Sequence, residues 1–72
     1  MNTIKKRKYS LIGVDGNAYA ILGYVKFAML KEKCSDEEIE NYEKDATSED
    51  YSHLIRVSMA MIDKLNGGQN ND

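Results

Sequence analysis

Cys34 and His53 are the single cysteine and single histidine of this 72-residue chain, so nucleophilic chemistry would fall to them. A catalytic thiol needs a neighbouring base to hold it as thiolate, and its transition state needs fixed donors for an oxyanion. The two residues belong to different helical segments, and no Asn, Asp or Gly-rich element forms a recognisable oxyanion pattern with either. Cys34 reads instead as a packing residue ahead of a helix, and His53 as an exposed helix residue near Glu49 and Asp50. One Cys and one His without a paired spacing do not make a zinc site. Glu37, Glu38, Glu40 and Glu43 are neighbours on one polar helix, a solvated face rather than an acid/base pair. The chain reads as non-enzymatic, with no catalytic, cofactor-binding or metal-ligating residues.

Phosphate chemistry has one place to occur. Gly13-Val14-Asp15-Gly16-Asn17 leads into a helix, where α/β proteins hold anions. Neither the dinucleotide fingerprint nor the P-loop pattern is present, and Asp15 puts negative charge where an anion would sit. A tight turn followed by a helix cap accounts for these residues.

Charge is distributed unevenly. Residues 1–8 carry Lys5, Lys6, Arg7 and Lys8 with no acidic residue, an arm able to contact nucleic-acid phosphates without sequence preference. The last helix offers only Arg56 and Lys64, too few for a recognition helix in the major groove. Residues 36–50 hold eight carboxylates against Lys44 alone. That stretch suits a basic protein partner or mimicry of a phosphate backbone, and equally a solubilising surface. The formal net charge is only −2.

The elements that position these residues follow from periodicity and caps. Residues 9–14 form a short β-type run that ends at the Asp15-Gly16-Asn17 turn. A helix is expected from 17 to about 33, capped by Asp15 or Asn17, with Ala18, Ile21, Leu22, Val25 and Met29 inward. Its opposite side carries a second apolar stripe, Ala20, Gly23, Phe27 and Leu30, flanked by Tyr19 and Tyr24. A helix apolar nearly all round is normally buried on both sides, so this one is expected to be central. Its second cover would be the N-terminal strand or another copy of the protein. Gly23 is expected to be where another backbone approaches closely.

Ser35 and Glu38 make a capping box for a second helix running to about 45, with Cys34 and Ile39 spaced as a hydrophobic staple. Its stripe is narrow: Ile39, Tyr42 and Ala46. A third helix is expected to start at Thr47 or Ser48, to face inward through Leu54, Val57, Ser58, Met61, Ile62 and Leu65, and to stop before Gly67-Gly68. The predicted fold is therefore mainly α: a short N-terminal strand, then a compact three-helix domain over 9–66 with the first helix central. A basic arm (1–8) and a flexible tail (67–72) flank it.

Seventy-two residues hold one small domain with a marginal core. A lone cysteine suits a reducing compartment. The longest near-apolar run, residues 18–30, is 13 long and contains Lys26. A bilayer span needs about 20, and no continuous apolar leader region exists. The expectation is a cytoplasmic protein without a membrane partner.

Three blocks resemble a widespread group of small uncharacterised proteins of phages, prophages and other mobile elements. They are Leu11-Ile12-Gly13-Val14-Asp15-Gly16-Asn17-Ala18-Tyr19-Ala20, then Ser35-Asp36-Glu37-Glu38-Ile39, then Ala46-Thr47-Ser48-Glu49-Asp50-Tyr51-Ser52-His53-Leu54-Ile55. The resemblance implies a compact accessory protein from a bacterial or phage source and brings no activity with it. The first reading of function is a phage or mobile-element accessory factor binding a host protein, with Glu37, Glu40, Glu43, Tyr24, Phe27 and Leu30 as candidate contacts. A homodimer joined by paired strands and by Phe27 and Leu30 is also expected. The alternative is a nucleic-acid-binding module using Lys5, Lys6, Arg7 and Lys8; nucleic acid ranks below protein as partner.

Overall fold

The computed structural model describes residues 8–67 and contains three helices, α1 (Ala18–Lys31), α2 (Asp36–Ala46) and α3 (Tyr51–Leu65). Each is closed at its ends by local chemistry. Asn17, not Asp15, caps α1: its Oδ1 accepts the Ala20 N–H at 2.9 Å, while Asp15 accepts the Asn17 N–H at 3.0 Å. At the other end, Cys34 N–H donates to Met29 O and Lys33 N–H to Leu30 O, each at 3.0 Å. That double closure needs a left-handed residue, and Lys33 supplies it at φ 65° where glycine is usual. The α2 capping box forms as expected, with Glu38 N–H on Ser35 Oγ at 3.1 Å and Ser35 N–H on Glu38 Oε1 at 2.7 Å. Cys34 and Ile39 are both packed against the core, as a staple requires.

The start of α3 differs from expectation. Asp50 is its N-cap, accepting the His53 N–H at 3.0 Å. Thr47 and Ser48 turn backwards instead: Thr47 Oγ1 donates to Glu43 O and Ser48 Oγ to Asp45 O, each at 2.7 Å. A helix end leaves four carbonyls without partners, and two neighbouring hydroxyls satisfy α2 better than they would begin α3.

Tyr51 at the start of α3 donates its hydroxyl to Gly16 O beside the start of α1. Tyr9 ties the far ends, reaching Glu32 after α1 and Asn66 after α3. Thus α1 and α3 run in the same sense and α2 returns between them. The core gathers Ile21, Leu22, Val25, Ala28 and Met29 of α1, Tyr42 and Ala46 of α2, and Leu54 and Ile62 of α3, with Tyr9 as its N-terminal contribution. One polar pair is enclosed with them: the Tyr42 hydroxyl and Ser58 Oγ share a 2.6 Å hydrogen bond. Burial pushes the Tyr42 hydroxyl's pKa up, with the Ser58 bond opposing.

Two expectations are corrected here. No strand forms among the described residues; 9–14 is an irregular segment with a turn closed by Val14 N–H on Leu11 O at 3.1 Å, Gly13 taking φ 88°. Its backbone finds partners in side chains rather than in a strand. Asn66 accepts the Tyr9 N–H at 2.9 Å and donates to the Tyr9 carbonyl at 2.8 Å, and the Tyr24 hydroxyl accepts the Ser10 N–H at 3.0 Å. An amide side chain offers the same donor–acceptor pair as a strand edge. The strand-pairing part of the expected dimer therefore has no basis.

The second correction concerns α1. It packs on both α2 and α3, so the three-helix domain stands. Its second stripe is nevertheless not covered by residues 8–14, which track the α1–α3 seam. Gly23 is exposed, and among the described residues nothing beyond its own helix lies within 4 Å of where a Cβ would stand, so no other described backbone approaches it. Residues 1–7 of the basic arm and 68–72 of the tail lie outside the described residues.

Candidate functional site

Tyr19, Gly23 and Phe27 recur every four residues along α1, and Leu30 falls three further on, so all four share one side. The side chains of α1 that build the core point the other way. The helix runs about 21 Å at 1.5 Å per residue. Along that length Tyr19 is 86% exposed, Leu30 60% and Phe27 55%, with Gly23 open between them. Lys31 borders the stripe, its amine 5.6 Å from the Phe27 ring centroid. Lys26 closes the opposite border, paired to Glu43 of α2 at 3.0 Å. A continuous apolar face with polar borders on a well-packed helix is the form an interaction surface takes.

Phe27 and Leu30 of this face are among the contacts the sequence suggests and Gly23 is its expected close-approach position, whereas Tyr19, which the sequence places only at the stripe's flank, joins it through its four-residue spacing with Gly23. Tyr24 is half-buried, with its hydroxyl holding the N-terminal segment. Of the acidic candidates, Glu43 is the α1–α2 ion-pair partner just described, whereas Glu37 and Glu40 are exposed on α2. Lys5, Lys6 and Arg7 lie outside the described residues. Lys8 binds Glu32 at 3.0 Å.

The remaining chemistry-bearing groups serve the fold. Glu32 accepts from the Tyr9 hydroxyl at 2.6 Å as well as from Lys8. The Tyr9 bond foremost, then Lys8, holds the Glu32 carboxyl below its ordinary range, and the same bond pushes Tyr9 up to about 12. Burial raises the Cys34 thiol, aided by Glu38, which is the wrong direction for a nucleophile. His53 sits against the end of α2, its Nε2 3.0 Å from Asp45 O and 3.1 Å from Asp45 Oδ1. Cys34 lies by Lys64, at the other end of α3 from His53, about 16 Å along the helix axis. The two are not brought together. Among the described residues, no group of three or more His, Cys, Asp or Glu side chains is arranged so that it could hold a metal ion. No described helix is long and apolar enough to cross a membrane.

A second apolar surface opens where residues 10–12 meet α3, with Ile12 and Met59 exposed at its rim. Comparison with protein families, curated proteins and solved structures finds no match for this chain.

Proposed function

We propose that this chain is a non-enzymatic interaction protein that binds another protein through the outer face of α1. The observation that carries the reading is an exposed Tyr19–Gly23–Phe27–Leu30 stripe on a helix whose other side is the core. Two aromatic rings and a leucine held on a rigid element lose little conformational freedom on binding. Glycine within a helix costs about 0.5–1 kcal/mol relative to alanine. No contact from the described residues offsets that cost at Gly23, whereas a partner surface seated there would. The resemblance of the three sequence blocks to small mobile-element proteins supplies the setting: an accessory factor that works by contact, in the cytoplasm of a bacterial host.

Site-specific photocrosslinking tests the reading. A photoreactive phenylalanine placed at Leu30, on the face, is expected to form protein adducts in living cells; the same probe at Glu40, on the polar side of α2, is not. Adducts from Glu40 alone, or from neither site, would overturn the face as the binding surface.

A further inference from the structure

The geometry points to a second copy of this chain as the occupant of that face, paired antiparallel α1 to α1 about a two-fold axis level with Val25. This rests on the interaction reading and names its partner. Along an antiparallel pair with that axis, Gly23 of each copy lies opposite Phe27 of the other. Ala20 lies opposite Leu30, and Tyr19 opposite Lys31. The stripe together with its neighbours Ala20 and Lys31 is thus closed under the two-fold operation, as an isologous interface requires.

Each pairing is complementary in size or charge. Phe27, 55% exposed, meets the one position of the stripe without a side chain, where the space above the backbone is open. Leu30 meets alanine. The Lys31 amine, already beside an aromatic ring of its own chain, meets the exposed ring of the opposite Tyr19, an arrangement favoured by the ring's quadrupole. Charge agrees with the direction. Exposed Asp15 lies two residues before the α1 N-cap, and exposed Lys31 and Lys33 flank its far end, where Glu32 is neutralised by Lys8, so antiparallel pairing brings opposite signs together while parallel pairing opposes like signs. The helix dipoles add in the same sense. A single helix face is small for an interface, so association in the micromolar range is expected.

The register can be tested by exchanging sizes. Light scattering after gel filtration should give a mass near twice the 8.2 kDa of one chain at about 100 µM, falling toward one chain on dilution. Gly23→Phe sets ring against ring and Phe27→Ala leaves a hole; each is expected to weaken pairing by about tenfold or more, the scale of losing a central anchor. Gly23→Phe combined with Phe27→Ala restores large opposite small and is expected to recover most of the affinity. A Cβ at Gly23 would meet none of the described residues beyond its own helix, so helical circular dichroism should persist in all three. A wild type that stays at one chain's mass, or a double variant no better than the worse single, overturns the proposal. A one-chain mass together with Leu30 adducts to a different protein removes only the self-pairing, whereas no adduct at all removes both readings.

Discussion

The α2–α3 corner and the outer face of α1 treat their side chains in opposite ways. At the corner, Thr47, Ser48 and His53 all bond the last carbonyls of α2, Asp50 caps α3, Tyr51 reaches Gly16, and Ala46 and Leu54 enter the core. Along the outer face, Tyr19, Phe27 and Leu30 are exposed and Gly23 is open. The corner is also where the sequence looks most like a signature, and the residues of that signature are consumed in joining two helices. The face, from Gly23 to Leu30, lies outside all three blocks. In this molecule the distinctive local pattern of the corner marks construction, and the proposed binding surface is what that construction leaves uncovered.

The same substitution made in both regions should give the largest contrast. Leu54→Ala removes a buried side chain, at a cost of about 2–5 kcal/mol. For a domain this small that is a large share of its total stability. Leu30→Ala on the face is expected to change the stability of dilute protein by less than about 0.5 kcal/mol. Urea unfolding of the two variants measures both. Comparable losses would show that Leu30 is a core residue and that the face is not open.

How far this division was legible in the sequence depends on how local each interaction is. The inward stripes and the Ser35–Glu38 box lie within a few residues of one another, and periodicity with cap chemistry finds them. Thr47 and Ser48 were ambiguous for a physical reason: a hydroxyl between two helices can close the first or open the second, and only the position of Asp50 decides. The misread strand failed on range. The partners of Tyr9 are side-chain atoms of Asn66, 57 residues away, and no local pattern shows an amide standing in for a strand. Phe27 and Leu30 were readable as apolar, but whether an apolar stripe is covered depends on where the rest of the chain goes.

The enclosed Tyr42–Ser58 bond, which joins α2 to α3 just behind the corner, sharpens the contrast at intermediate size. Ser58 is fully buried and Tyr42 nearly so. Ser58→Ala strands the Tyr42 hydroxyl without its partner, at a cost of about 1–3 kcal/mol. Replacing both partners, Tyr42→Phe with Ser58→Ala, should cost less than the two single changes added, because no buried group is left unsatisfied. A thermal-melt double-mutant cycle reads the coupling. Strict additivity would mean that the hydroxyls find water and that the core is open at that point.

The face reverses the sign. Gly23→Ala adds a methyl group into open space on an exposed helix position, so the stability of dilute protein should rise by about 0.5–1 kcal/mol. A melting temperature that falls instead, at concentrations well below pairing, would place an unseen neighbour over Gly23 within the same chain.

The smallest effect is electrostatic and belongs to the corner. His53 faces Asp45 through Nε2 and Glu49 through Nδ1, at 3.1 and 3.9 Å. The Asp45 hydrogen bond chiefly, with help from Glu49 and against the effect of burial, raises the imidazole pKa above its ordinary value. A raised folded-state pKa means that the native state holds the proton more tightly than the unfolded chain does. The contribution is therefore fully present below the unfolded pKa of about 6.5 and is lost as pH rises through the folded value. The imidazolium also sits at the carbonyl end of α2, where a cation is favoured. Wild-type protein should thus lose stability between about pH 5.5 and 8, and His53→Gln, which retains a donor but cannot ionise, should show that loss much reduced. Melting curves of both proteins at the two pH values make the comparison, and groups titrating elsewhere cancel in the difference. Equal pH dependence in the two would show that the corner is held by its neutral hydrogen bonds alone.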